Sequence, residues 1–222
     1  MTEIKIDKLI RSKRRTIALI VSNDAALIVR APMRTTLEFI KDLVSKKRSW
    51  INKKMKQVLK NGGPIKSRVF SDGEEFFYLG ETYKLKIQDC GTVTLTDRLY
   101  FPEKYLNDSR VKMIQWYKGK ALETITARAN FYSEITGWEF SSISITSAEK
   151  RLGSCGSGGS LNFSWKLIMA PVNMIDYVVV HELAHISEKN HAKRFWNKVK
   201  AVMPDYERRE KWFKENRRIM TL

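Results

Sequence analysis

The chain has 222 residues, of which 43% are hydrophobic, and this length and composition suit one or two domains with a real core. Its two cysteines, Cys90 and Cys155, lie far apart in the sequence, which excludes a disulfide framework and a cysteine-rich zinc finger. The opening MTEIKIDKLI lacks the apolar core of a secretory signal, and no segment approaches the roughly 20 apolar residues that span a bilayer. We therefore expect a cytoplasmic protein with no membrane partner.

The charge is large and unevenly distributed. The formal net charge is +17, and residues 1–68 carry 18 Lys and Arg against 5 Asp and Glu. Such an excess attracts phosphate backbones without reading their sequence. The N-terminal region is therefore a candidate for non-specific nucleic-acid binding, and a solvated basic surface kept for solubility is the alternative.

Strands followed by a long helix are predicted for the first 60 residues. Aliphatic and β-branched runs from Ile4 to Ile10 and from Arg15 to Val29, with turn chemistry at 22–24, indicate a β-meander. From Thr35 to Lys60 apolar residues recur at helical spacing opposite a face of lysines, which predicts one long basic amphipathic helix. The glycines and proline of 61–64 would end it.

The rest of the chain alternates between strand and helix patterns. Strand-like segments are predicted at Glu75 to Ile87, Thr92 to Phe101, Ser142 to Thr146 and Leu161 to Met169. A second long helix is predicted from Val111 to Ile135. This order indicates an α+β fold, with a basic, β-rich region at 1–105 that contains one long helix, and a helix-rich region at 106–222 that carries the chemistry.

All three histidines of the protein lie within HELAHISEKNH, from His181 to His191. His181 and His185 are four residues apart, so on a helix both rings project from one face, close enough to hold one zinc ion. Glu182 follows the first ligand, where it can accept a proton from a water molecule at the metal and act as the catalytic base. The surrounding helix is apolar on most sides, and a metal would offset the cost of burying polar groups there.

The third metal ligand is open to two interpretations. His191 is the first, since the polar residues 187–190 can turn the chain back toward the metal. Three protein ligands with an open fourth position are typical of a catalytic zinc site, and four are typical of a structural one. The rival interpretation takes an acidic side chain from a following helix, namely Asp205, Glu207 or Glu210.

The stretch RLGSCGSGGSLNFSWKLIMAPVNMIDYVVVHELAHISEKNHAKRFW closely resembles the YgjP-like metallopeptidase family of zincin-type hydrolases. The resemblance rests on an R-x-G-S-C block, an L-N-F-x-W strand, the H-E-L-x-H helix and an N-H-x-x-x-F-W continuation, and Leu152 departs from the family's usual tryptophan. It implies a zincin-like catalytic region, with the HExxH helix packed on a small sheet that has an edge strand. The motif spacing is also similar to that of WLM and SprT-like proteases, whereas Glu188 stands where metzincins need glycine.

Side chains before the helix are candidates for substrate binding. The segment from Leu161 to Met169 alternates apolar and mostly polar residues, and in zincins the corresponding strand is an edge that pairs with extended substrate. Asn162 and Ser164 lie on its polar face, and Arg151 precedes it with a charge suited to a substrate carbonyl or carboxylate. An ordinary sheet strand is the alternative.

These patterns predict a metallopeptidase that binds one Zn²⁺ per chain and hydrolyses peptide bonds of a protein or peptide substrate, some of it associated with nucleic acid. Two alternatives stay open. One is a basic nucleic-acid-binding module whose zinc is structural, and the other is a zinc hydrolase of a bond other than a peptide.

Overall fold

The structure is a computed structural model that describes residues 4–22, 25–60, 68–149 and 151–222. Contacts between residues divide the chain into two compact units, Met1–Ser67 and Arg68–Leu222. The first unit has its own apolar core, and the second has a larger one. Within the described ranges, no helix is both long and apolar enough to cross a membrane.

The first unit packs two helices on a three-stranded sheet. The elements are β1 Lys8–Ser12, β2 Ala18–Val21, β3 Leu27–Pro32, α1 Leu37–Lys46 and α2 Arg48–Lys60. Strand β3 is central, parallel to β1 and antiparallel to β2, so the predicted meander has the wrong strand order. Alternate residues of β3 (Leu27, Val29 and Ala31) are fully buried in one core with residues of the two helices.

The predicted long basic helix is two helices. Helix α1 begins after Thr36, whose side-chain oxygen accepts a hydrogen bond from the Phe39 N–H at 3.3 Å. It ends at Lys46, and the backbone leaves the helical conformation at Lys47 before α2 begins. Residues 23–24 and 61–64, to which the sequence assigns a turn and a helix end, lie outside the described residues.

The second unit begins with a four-stranded sheet and a long helix. Its strands are β4 Glu75–Tyr78, β5 Glu81–Gln88, β6 Thr94–Leu95 and β7 Leu99–Pro102, in the order β4-β5-β7-β6. A 3-10 turn at Glu103–Asp108 leads into α3, Ser109–Thr136, which ends at Gly137 in the left-handed conformation with φ 69°. Buried residues recur every four positions along α3: Met113, Tyr117, Ala121, Ile125 and Ala129.

A three-stranded sheet and three helices complete this unit. They are β8 Ser142–Thr146, β9 Gly153–Cys155, β10 Ser160–Ser164, α4 Val172–Ser187, α5 Lys193–Val202 and α6 Tyr206–Asn216. Shorter 3-10 segments lie at Trp165–Met169 and Arg217–Met220. Strand β10 is central, parallel to β8 and antiparallel to β9. Of the two alternatives for Leu161 to Met169, the ordinary sheet strand is therefore correct, because β10 has a partner on each side, and the strand ends at Ser164 instead of Met169.

Two features fix the position of α4. Arg128 of α3 donates to both carboxylate oxygens of Asp176 at 2.5 and 2.9 Å, and Asp176 is only 7% exposed. Directly before the helix, a side chain on Gly80 would come within 2.7 Å of Pro171, and the Gly80 φ of +88° also favours glycine. The Leu79 and Gly80 N–H groups donate to the carbonyls of Ile168 and Met169.

The units divide at 67/68, whereas the pattern of elements in the sequence predicts a boundary at 105/106. The reason is that strands β4 to β7 share a core with the helices. Phe76, Leu85, Leu99 and Phe101 are each at most 1% exposed and belong to the same cluster as the buried residues of α3 and α4. Their apolar side chains therefore join these strands to the C-terminal unit.

Candidate metal centre

Helix α4 carries the first two histidines and the glutamate of the motif. Nine residues from Ile175 to Ala184 are buried, so most sides of the helix face protein. One helical turn separates His181 from His185, and the ring centroids are 5.1 Å apart. Both rings therefore project from the same face, as the spacing predicts.

The turn after α4 returns the third histidine to the other two. Helix α4 ends at Ser187, and Glu188 is extended with φ −131°. The Asn190 side-chain oxygen accepts a hydrogen bond from the Ala192 N–H at 3.1 Å, which stabilises the turn. The Nε2 atom of His191 lies 3.0 Å from that of His181 and 3.2 Å from that of His185.

The geometry of these nitrogens fits a zinc ion. Two ligands of a tetrahedral zinc, each about 2.0–2.1 Å from the ion, lie roughly 3.3 Å from one another. The separations of 3.0 and 3.2 Å are close to that value. Across the described residues, one group of three or more His, Cys, Asp or Glu side chains could hold a metal ion, and it consists of His181, His185 and His191. Their ligand atoms all lie within 4.8 Å of one another.

The tautomer of His185 agrees with this arrangement. Its Nδ1 lies 3.0 Å from the Glu188 carbonyl oxygen, which can only accept, so Nδ1 carries the proton. In the neutral ring Nε2 then has a free lone pair directed at the other histidines. The buried Nδ1 of His181 has no hydrogen-bond partner among the described residues.

Burial keeps the first two histidines neutral. Burial, followed by the two neighbouring histidines, lowers the pKa of His181 from 6.5 to about 3. Burial also lowers the pKa of His185, opposed by the hydrogen bond to Glu188. A neutral imidazole is the form that ligates a metal, so these surroundings favour binding.

The acidic residues proposed as rival ligands have other partners. Asp205 accepts from Arg209 at 3.1 Å, and Glu210 pairs with Lys214 at 2.9 Å. Glu207 accepts a hydrogen bond from the Tyr206 hydroxyl at 3.3 Å. None of these three carboxylates belongs to the group of side chains that could hold a metal ion, whereas His191 does.

Glu182 is a buried carboxyl beside a glycine. It is 6% exposed, and burial raises its pKa from 4.5 to about 7, opposed by the charge of Arg151. A Cβ atom added to Gly153 of β9 would lie 2.5 Å from the Glu182 Oε1. The absence of a side chain at residue 153 therefore leaves the space that Glu182 occupies.

An aromatic frame holds the histidine rings. Phe195 stacks on His185 with centroids 4.4 Å apart, and Trp196 stacks on His191 at 5.6 Å. Tyr206 in turn stacks on Trp196 at 5.1 Å. Side chains of α5 and the start of α6 thus restrict the orientation of the rings.

The sequence of the chain also matches a known family. The sequence model of the YgjP-like metallopeptidase domain matches residues 15–216, which is most of the chain. The chain belongs to the YgjP-like metallopeptidase family. It is therefore a metal-dependent hydrolase of the peptidase class.

A solved structure is similar to part of this family member. The crystal structure of the metallopeptidase zymogen of Pyrococcus abyssi abylysin matches 42% of this chain and 96% of its own, with 17% sequence identity and a TM-score of 0.39. No curated protein matches the chain.

The three predicted substrate-binding residues differ in accessibility. Arg151 is exposed, and its charge acts on Glu182. Asn162 is half-buried in the central strand β10, opposite Ser154 of β9. Ser164 is 1% exposed and donates to the Ala148 carbonyl at 2.9 Å, so its hydroxyl is not accessible to a substrate.

Two contributions to the site were not predicted from the sequence. The Glu188 carbonyl orients His185, and a main-chain group has no signature in the pattern of side chains. The steric role of Gly153 was also missed, although the residue was noted before the strand. Its signal was the glycine of the R-x-G-S-C block, two residues after Arg151.

Proposed function

We propose that this peptidase is zinc-dependent, that His181, His185 and His191 hold one zinc ion, and that Glu182 is the catalytic base. The strongest support is that the Nε2 atom of His191 lies 3.0 and 3.2 Å from the Nε2 atoms of the other two histidines. The buried carboxyl of Glu182 lies on the helix that carries those two histidines. Three ligands leave a fourth position open, as catalytic zinc sites require.

The metal and Glu182 would have different roles in hydrolysis. A bound zinc ion supplies a Lewis acid, which polarises a carbonyl and makes water more acidic. Glu182 accepts the proton of the attacking water and later delivers it to the leaving amine. Burial raises its pKa to about 7 in the metal-free chain, and the positive charge of a bound zinc ion would favour the carboxylate form that accepts the proton.

The edge strand β9 offers a main-chain surface for an extended substrate. It pairs with β10 on one side and is the edge of its sheet on the other. Gly153 of this strand packs against Glu182, so a peptide paired with β9 would pass close to the base. Main-chain hydrogen bonds would permit broad sequence tolerance. We assign Arg151 to contact with a substrate carbonyl or carboxylate.

Nucleic-acid-associated proteins are one class of substrate that the charge supports. Residues 1–67 carry 17 Lys and Arg against 5 Asp and Glu, and such an excess is attracted to phosphate backbones. Substrates already bound to nucleic acid would then be concentrated near the enzyme. Cleavage of a DNA-bound protein and of the same protein free in solution would measure the effect.

Substitution Glu182→Gln tests the catalytic assignment. We expect the variant to bind about one equivalent of zinc and to lose at least about 100-fold in hydrolysis of a peptide library, since general-base catalysis contributes 10²–10⁴-fold. Glu207→Gln is the matched control, because it neutralises an exposed carboxylate that is one of the rival ligands. Wild-type hydrolysis by Glu182→Gln would contradict the role of the base.

The same experiment separates the alternatives. A structural zinc in a nucleic-acid-binding module needs a fourth protein ligand, and its binding of DNA or RNA would be unchanged in Glu182→Gln. A hydrolase of another bond would bind zinc normally and cleave no peptide in the library. Metal analysis of His191→Ala, with less than half an equivalent of zinc expected, tests the third ligand.

A further inference from the structure

Trp50 differs from the other tryptophans of the chain. All six lie among the described residues, and Trp50 alone falls in the exposed class, with 41% of its surface accessible. The other five are buried in, or packed against, the core of the second unit: Trp116, Trp138, Trp165, Trp196 and Trp212. Part of the indole of Trp50 is thus open to solvent, where an aromatic face can stack on a ligand.

The helix that carries Trp50 is strongly basic. Its sequence, RSWINKKMKQVLK, contains five Lys or Arg residues and no acidic residue. Positions 50, 53, 54 and 57 are neighbours on a helix, and all four are exposed: Trp50, Lys53, Lys54 and Gln57. We call this set the α2 outer face.

The opposite side of α2 is occupied. Ile51 is fully buried in the core of the first unit, and Met55 packs against the same core. An amphipathic helix that binds a membrane surface needs its apolar side free for the acyl chains. Because that side of α2 already packs on protein, the outer face presents one indole among cationic and amide groups.

We propose that the α2 outer face binds single-stranded nucleic acid, with a base stacked on Trp50 and phosphates beside Lys53 and Lys54. Stacking on an aromatic side chain together with a basic surface along the backbone is how proteins bind single strands without sequence preference. The occupant is a single strand because a base in a duplex keeps its faces inside the stack. This inference is independent of the peptidase assignment.

Fluorescence anisotropy of the full chain with labelled 20-nucleotide oligo-dT and oligo-U probes tests the proposal, with a duplex of equal length for comparison. We expect Trp50→Ala to weaken single-strand binding about 5-fold or more and Trp50→Phe to restore most of it. The pair Lys53→Gln and Lys54→Gln should make the slope of log affinity against log salt shallower by about 1.4, since each phosphate contact contributes about 0.7.

The control pair is Lys211→Gln and Lys214→Gln, which removes the same charge from α6, where both lysines lie near glutamates. Thermal melts check that every variant folds. The proposal would be overturned if the two lysine pairs caused equal losses, if Trp50→Ala had no effect, if the duplex bound more tightly, or if no binding occurred at low salt. Binding to anionic lipid vesicles that depends on Trp50, without binding to the oligonucleotides, would also overturn it.

Discussion

Glu182 has room for its carboxyl group because residue 153 has no side chain. An added Cβ would lie 2.5–2.8 Å from the Oε1, Cγ and Cδ atoms of Glu182, closer than such atoms approach. Since Glu182 is buried, it can move away only by displacing its neighbours. The position of the proposed base thus depends on a single glycine.

Substitution Gly153→Ala should therefore impair hydrolysis more than metal binding. We expect kcat to fall at least about 10-fold, since small displacements of reacting groups cost up to 10²-fold, while the zinc content stays near that of the wild type. Gly158→Ala is the control, because a Cβ there meets no atom within 4 Å. Equal kcat in both variants would show that Glu182 tolerates the intrusion.

The raised pKa of Glu182 predicts how the stability of the metal-free protein depends on pH. Its pKa is 4.5 in an ordinary setting and about 7 in the folded chain, so folding favours the protonated form. The favourable contribution is complete below about pH 4.5 and is lost as the pH rises through 7. At pH 8 the buried charge should cost on the order of 3 kcal/mol, since each unit of the shift corresponds to about 1.4 kcal/mol.

Glu182→Gln removes this titration. In EDTA the variant should exceed the wild type in free energy of unfolding at pH 8, and the difference should shrink toward pH 5, as measured by urea titrations at several pH values. A difference that does not change with pH would mean that the carboxyl is solvated in the folded protein.

At the scale of elements, the ion pair between α3 and α4 orients the helix that carries the histidines. Arg128 holds both oxygens of a carboxylate that is 7% exposed. Removing one partner of a buried pair leaves an uncompensated charge, whose cost exceeds that of losing the interaction itself. The pair therefore matters more for the position of α4 than an exposed pair would.

We expect Arg128→Ala to lower the free energy of unfolding by about 3 kcal/mol in urea titrations. Combining Arg128→Met with Asp176→Leu should recover much of this loss, because neither charge remains. Lys120→Ala breaks the more exposed pair with Glu123 on the same helix and should cost at most about 1 kcal/mol. A similar loss in both single variants would contradict the burial argument.

Some features of the helices and strands could be predicted from the sequence, and others could not. The placement of His181 and His185 on one face follows from helix geometry alone, and their ring centroids lie 5.1 Å apart. The place of β10 in its sheet does not, because alternation along a strand is the same whether it has one neighbour or two. Its partners, β8 and β9, are set by pairing between distant residues. The break at Lys47 was missed because lysine carries no strong helix-ending signal.

At the scale of the whole molecule, the proposed metal site and the proposed nucleic-acid-binding surface belong to different compact units. The second unit, Arg68–Leu222, contains the three histidines, Glu182 and the larger apolar core. The first unit, Met1–Ser67, contains α2 and most of the surplus positive charge. Metal binding and nucleic-acid binding should therefore be separable.

A chain that begins at Arg68 should fold and bind about one equivalent of zinc, because its core and ligands come from the same unit. It should bind oligo-dT at least about 10-fold more weakly than the full chain, since it lacks the α2 outer face and carries 24 Lys and Arg against 19 Asp and Glu. Circular dichroism melts, metal analysis and anisotropy measure the three properties. A shortened chain without a cooperative melt would mean that the core of the second unit is insufficient alone, and undiminished oligo-dT binding would place the nucleic-acid surface in the second unit.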